Sequence, residues 1–171
     1  MSNPSDKRMT LQEAVLKRID IAREGKTLVV TNGCFDLLHP GHMYCLMLAA
    51  TQGSCLYVLL NGDDSVRQLK GPTRPIITAT DRAFQLSCLS FVDGVIMLPT
   101  TTCTHQLKSL KPDVYVKGGD YDICGLHPEE KKALDEVHAK IVYVPSLPGY
   151  STTTLIEKIQ NLNIQGETDN V

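Results

Sequence analysis

From Thr27 onward the chain alternates two kinds of segment, and this alternation constrains its fold more than any other feature. Short, nearly unbroken apolar runs stand at Thr27–Thr31 (TLVVT), Cys55–Asn61 (CLYVLLN), Val92–Leu98, Asp113–Lys117 and Lys140–Val144. Between and after them lie Met43–Thr51, Thr80–Ser90, Thr102–Leu110, Pro128–Ala139 and Ser151–Asn161, which read as helices. A further helical spacing, Leu11, Val15, Ile19 and Ala22, precedes the first run and stops at Gly25. Strands without polar alternation are buried on both faces, and the helices between them supply the cover. The pattern predicts an α/β fold: a doubly wound parallel sheet of about five strands with helices on both faces. One domain is expected over residues 11–162, with flexible tails at 1–10 and 163–171.

The chain has 171 residues, 42% hydrophobic and 21% charged, a globular composition. A net charge of −2 gives no strongly basic face of the kind duplex nucleic acid selects. No apolar run reaches the roughly 18 residues of a membrane span. The polar start, MSNPSDKRMT, lacks the apolar stretch of a signal peptide. The six cysteines (34, 45, 55, 88, 103 and 124) are scattered, with no CxxC pair. They read as the reduced thiols of a cytoplasmic protein, not as a disulfide frame or a zinc site.

In open α/β sheets, ligands bind beyond the carboxyl ends of the strands. Here those ends lead into TNGCFDLLHPGH, NGDDSVRQLKG, LPTTT, KGGDYD and PSLPGYSTT, which gather most of the glycines and polar groups. In HPGH, Pro40 and Gly41 suit a helix start. The free N–H groups and partial positive charge there favour phosphate. His39 and His42, one turn apart, would donate hydrogen bonds to oxygens that gain charge in phosphoryl transfer. Two half-exposed histidines beside a turn are the plainer reading of the same four residues.

Ser151, Thr152 and Thr153 lead the last apolar helix. One hydroxyl suffices for an N-cap, and three suit a second phosphate-facing helix start. VRQLKGPTRP reads as a surface loop carrying Arg67, Lys70 and Arg74, with Lys70 the preferred phosphate contact. Gly118 and Gly119 follow a strand directly and let backbone approach a ligand. Asp120 would accept from a hydroxyl or amine, or help to hold a magnesium ion. A tight turn alone also accounts for Gly-Gly-Asp. Cys34 has no neighbour that clearly favours its thiolate and is read as packing or lining. GxxxxGK[ST], GxGxxG and GxSxG are all absent.

HPGH within TNGCFDLLHPGH resembles the HxGH motif of the nucleotidyltransferase superfamily, with its cytidylyltransferase-like, Rossmann-like fold. GYSTT resembles that superfamily's ISTT-type motif. More narrowly, TNGCFDLLHPGH, NGDDSVRQLKGPTRPI, TDRAFQLSCLSFVD, LKPDVYVKGGDY and VPSLPGYSTTTLIEKI resemble, in that order, the adenylyltransferases of ADP-heptose synthesis. They span roughly residues 27–159. The resemblance implies transfer of AMP from ATP to D-glycero-β-D-manno-heptose 1-phosphate with Mg2+, by direct attack on the α-phosphorus, giving ADP-heptose and pyrophosphate.

The same resemblance implies the roles of residues. His39, His42 and Lys70 would be catalytic. Asn32, Gly33, Cys34, Phe35, Gly41, Lys117, Gly118, Gly119, Ser151, Thr152 and Thr153 would bind the nucleotide. Asp36, Asn61, Asp63, Asp120 and Tyr121 would meet the acceptor sugar phosphate, and the metal ligands stay unassigned. Related glycerol-phosphate cytidylyltransferases carry an Arg shortly before ISTT, and PSLPGYSTT has none. That leaves the triphosphate clamp to Lys70 or Arg74. A homodimer is compatible with the family, and the sugar kinase of the pathway is expected on a separate protein. The alternatives are a cytidylyltransferase acting on a phosphorylated alcohol such as glycerol 3-phosphate, an FAD-forming adenylyltransferase, and a nucleotide-binding module without catalysis.

Overall fold

The computed structural model describes residues 3–119 and 125–168, with side chains as far as residue 162. It is a parallel, doubly wound α/β structure. The strands are β1 (Arg8–Met9), β2 (Leu28–Gly33), β3 (Cys55–Asn61), β4 (Gly94–Leu98), β5 (Val114–Gly118) and β6 (Lys140–Val144). The helices are α1 (Pro4–Lys7), α2 (Leu11–Arg23), α3 (Pro40–Ala50), α4 (Asp63–Lys70), α5 (Ala79–Ser87), α6 (Thr104–Leu110), α7 (Pro128–Glu136) and α8 (Thr152–Thr168). The sheet order is β1-β4-β3-β2-β5-β6, with every pair parallel.

Period-two alternation sorts the strand side chains into two apolar layers. Leu28, Val30, Tyr57, Leu59, Ile96 and Tyr115 pack with residues of α2, α6 and α7. Val29, Leu56, Val58, Leu60, Val95 and Val116 pack with Leu46 and Ala49 of α3 and Ala83 and Leu86 of α5. Both faces are covered, which is why the strands read as continuous apolar runs.

Strand order reverses at β2, which lies between β3 and β5. β2 pairs with β3 through Gly33↔Leu60 but with β5 only as far as Thr31↔Val116. Beyond Thr31 the two central strands part, and a crevice opens at the switch point.

The structure corrects the sequence reading in three places. The expected tail at 1–10 holds α1 and β1, and β1 adds a sixth strand through Arg8↔Val95 and Met9↔Ile96. Met9 is buried in the core, Lys7 Nζ donates to Leu89 O at 2.8 Å, and Thr10 with Glu13 forms a capping box for α2. A two-residue strand is too short to show a period. The expected loop at Val66–Pro75 begins only at Gly71. Residues 63–70 are helical, with acidic groups in the first turn and Arg67 and Lys70 in the last. α8 continues past the expected boundary at 162, to Thr168.

Candidate active site

The turn from β2 into α3 forms one wall of the crevice. Phe35 and Leu37 hold positive φ values of 48° and 51°, a conformation costly for residues with side chains and frequent where function fixes the backbone. Gly33 makes room for this turn, since a Cβ there would stand 2.9 Å from the Phe35 ring. The ring is buried and lies 5.4 Å from the His42 ring, tilted by 58°. Phe35 therefore packs against His42 and supports it.

His39 is the N-cap of α3 and Pro40 its first residue. The His39 and His42 rings are stacked, with centroids 3.8 Å apart and planes 23° from parallel. Gly41 permits this arrangement, because a Cβ there would sit 3.0 Å from both Cε1 and Nδ1 of His39. The Nδ1 atoms of both histidines are buried without a hydrogen-bond partner among the described residues. Burial lowers the pKa of His39. Burial, with repulsion from His39, takes His42 down to about 4, against a smaller opposing pull from Asp36. Both imidazoles are thus neutral near pH 7, each with one N–H to donate.

Asp36 is buried and braces the turn. It accepts from Arg74 Nε at 2.7 Å, Ile76 N at 2.9 Å and Ile77 N at 3.0 Å. Burial alone would raise its carboxyl, but these three donors outweigh it and hold the pKa below the usual carboxylate range. Asp36 thus serves the protein's own loop, bracing the β2–α3 turn against residues 74–77. Asn61 likewise donates to Ser65 Oγ at 2.8 Å and Thr100 O at 3.3 Å. Asp63 accepts from Ala79 N at 2.8 Å and Arg82 Nη2 at 2.7 Å. These side chains secure the β3–α4 turn.

Arg82, which the sequence reading passed over, is fully buried in α5. Besides Asp63, its guanidinium donates to Ile77 O at 2.8 Å, Asn61 O at 2.8 Å and Cys34 O at 2.5 Å. One cation thus staples the ends of β2 and β3 to the start of α5. The available signal was a charge at an inward helical position, next to Ala83 and four before Leu86.

Around Cys34, burial raises the thiol pKa while the positive charges of Lys70, Arg82 and Arg74 pull the other way without prevailing. Cys34 is a protonated wall residue, and three cations act on the same turn. Lys70 is exposed at the end of α4, just before Gly71.

The second helix start is tied to the first. Thr152 Oγ1 donates to Asp36 O at 2.9 Å. Ser151 Oγ accepts from Thr154 N at 3.0 Å and caps α8. Of the three hydroxyls, only that of Thr153, on an exposed residue, has no partner among the described residues.

On the opposite wall, Lys117 and Gly118 end β5. Gly118 is required by packing, since a Cβ would lie 2.5 Å from Cys45 Sγ of α3. Gly119, at φ 133°, donates its N–H to Val144 O at 3.1 Å. Asp120 and Tyr121 lie outside the described residues. Among the described residues no three His, Cys, Asp or Glu side chains come together as a metal cage. Asp36 and Asp63 are each committed to an arginine. These residues do not fit a protein-held magnesium ion.

A crevice at a topological switch point, walled by two helix starts, defines a nucleotide-binding α/β protein of Rossmann-like class. The chain belongs to the cytidylyltransferase-like family, whose model matches residues 30–159. It is 39% identical over 165 residues to the bifunctional protein HldE of Syntrophotalea carbinolica, covering 94% of this chain and 33% of that protein. It is 45% identical over 136 residues to the bifunctional protein HldE of Koribacter versatilis, covering 80% and 28%. The chain thus spans about a third of the length of these relatives. Among solved structures it resembles the lipopolysaccharide core biosynthesis protein from Thermoplasma volcanium, with a TM-score of 0.60 and 26% identity over 72% of this chain and 98% of that one. Pantoate-beta-alanine ligase from Francisella tularensis shares the fold, with a TM-score of 0.57 at 12% identity over 82% of this chain and 67% of that one.

Proposed function

We propose that this chain transfers AMP from ATP to D-glycero-β-D-manno-heptose 1-phosphate, releasing pyrophosphate and ADP-heptose. The observation that carries nucleotidyl transfer is the stacked, neutral His39–His42 pair at the start of α3, with the positive charges of Lys70 and Arg74 acting on the adjoining turn. The choice of acceptor rests on the stretches RQLKGPTRPI and KPDVYVKGGDY. A sugar-phosphate oxygen forms the new bond to the α-phosphorus, the α–β bridging P–O bond breaks, and its electron pair leaves with pyrophosphate.

No protein nucleophile is required, and Cys34, held as a thiol, offers none. The residues contribute position and charge stabilisation. His39 and His42 donate to the α-phosphate oxygens as charge shifts onto them. The α8 start, through Thr153, and Lys70 and Arg74 hold the outgoing phosphates. Magnesium enters with the triphosphate as part of the substrate. No helix among the described residues is long and apolar enough to cross a membrane, and the reading carries a cytoplasmic site of action with it.

The test is pyrophosphate release from ATP, CTP, GTP and UTP, each with heptose 1-phosphate, with glycerol 3-phosphate and alone. Release only from ATP with the heptose phosphate is expected. In that assay His42→Ala should lower turnover by about 10²-fold or more while ATP still binds. Release from CTP with glycerol 3-phosphate would preserve the histidine roles and overturn both substrates.

A further inference from the structure

On the side of the crevice away from the histidines, four residues form a polar row. Tyr115 Oη lies 2.6 Å from Asn32 Oδ1 and 4.0 Å from Cys103 Sγ. Cys103 in turn sits 3.2 Å through Sγ and 2.9 Å through its backbone N from Glu130 Oε1. Tyr115, Cys103 and Glu130 are buried, and Asn32 is half-buried at the end of β2, one residue past its last pairing with β5.

The row has a direction. The Glu130 oxygen takes the Cys103 backbone N–H and the thiol hydrogen, so the thiol has none left for the phenol. The single phenol hydrogen then has a strong acceptor at 2.6 Å, Asn32 Oδ1, and a weak one at 4.0 Å, Cys103 Sγ. With the amide turned over, its NH2 would donate to the phenol oxygen and the phenol hydrogen would pass to Cys103 Sγ at 4.0 Å, but 2.6 Å is the length of an O–H···O bond and too short for N–H···O. The network therefore fixes Asn32 with its oxygen toward the core. Its NH2 has no partner among the described residues.

We propose that Tyr115 is a positioning residue that locks the Asn32 side chain so that its NH2 donates to an oxygen of the nucleotide in the crevice. The inference deepens the nucleotidyl-transfer reading and rests on it. An Asn32 released from the phenol would be free to turn its own oxygen toward the ligand oxygen, and the lock removes that repulsive state.

The test is a double-mutant cycle of Tyr115→Phe and Asn32→Ala, reading KM, kcat and Tm with the triphosphate that the wild type consumes. Tyr115→Phe should raise KM about 3- to 10-fold with kcat nearly unchanged. In the Asn32→Ala background the same substitution should move KM less than about 2-fold. Equal effects in both backgrounds, or no effect in either, would overturn the lock. A wrong nucleotide assignment changes only the probe, from ATP to CTP. Without turnover, the Asn32 NH2 resonances decide as inorganic pyrophosphate and then ATP are added. A response in the wild type that is lost in Tyr115→Phe supports the lock. The same response in both, or none in either, overturns it.

Discussion

The imidazoles of His39 and His42 lie 3.8 Å apart, face to face, although they would repel each other if both were charged. Burial resolves the conflict by lowering both pKa values. In the proposed reaction the pair would enter as two neutral donors, taking no proton from solvent at pH 7. A shift toward imidazolium then belongs to the charged transition state, where it is useful, and not to the resting enzyme.

The depressed His42 pKa makes stability depend on pH with a definite sign. From about 6.5 unfolded to about 4 folded, the native state binds fewer protons than the unfolded chain. Stability therefore falls as pH drops through that window, with His42 costing up to the order of 3 kcal/mol below it. His42→Asn, neutral throughout, should have a flatter urea midpoint against pH between 4 and 6.5. Parallel curves for the two proteins would show that His42 titrates normally.

Gly41 separates stability from activity. Gly41→Ala places a better helix former in α3, which by propensity alone favours folding by about 1 kcal/mol. The new Cβ would stand 3.0 Å from His39 and 3.3 Å from Tyr150 Cβ. The imidazole must yield, and misplaced groups of this kind cost about 10- to 100-fold in rate. The expected result is an unchanged Tm within a few degrees and a kcat reduced by about that factor, read from a thermal melt and pyrophosphate release.

The strands that carry the site were legible because burial on both faces leaves an uninterrupted apolar run. HPGH and GYSTT were legible because Pro, Gly and hydroxyl residues mark helix starts. What escaped reading were roles fixed by distant partners. Asp36 looks like any loop carboxylate until Arg74, Ile76 and Ile77 fold onto it from about forty residues away. Tyr115 reads as a core aromatic, since only register brings its hydroxyl to Asn32. α4 was hidden because its buried residues are only Ser65 and Val66, too few to make a period. β1 is two residues long and exists through its partner β4.

Arg82 should be among the most costly residues to replace. Arg82→Met keeps most of the apolar stem but leaves the carbonyls of Cys34, Asn61 and Ile77 and the Asp63 carboxylate without their shared donor. Breaking a buried ion pair on one side costs about 3–5 kcal/mol. Urea unfolding should show a loss in that range, and a loss below about 1 kcal/mol would mean the turn is held elsewhere.

Neighbouring hydroxyls at the α8 start should differ in what they contribute to stability. Thr152 donates to Asp36 O at 2.9 Å, so Thr152→Val removes the tie between the two helix starts. It should cost about 1 kcal/mol of stability and weaken triphosphate binding as α8 loses its register on the turn. The Thr153 hydroxyl holds nothing within the described protein, so Thr153→Val should leave the unfolding midpoint in place. It should still raise the Kd for ATP several-fold, because the missing donor is one the proposed site assigns to the phosphates. Calorimetric titration beside a urea melt separates the two. A Thr153→Val protein that binds ATP as tightly as the wild type would remove this hydroxyl from the phosphate site and leave the α8 contact to backbone N–H groups.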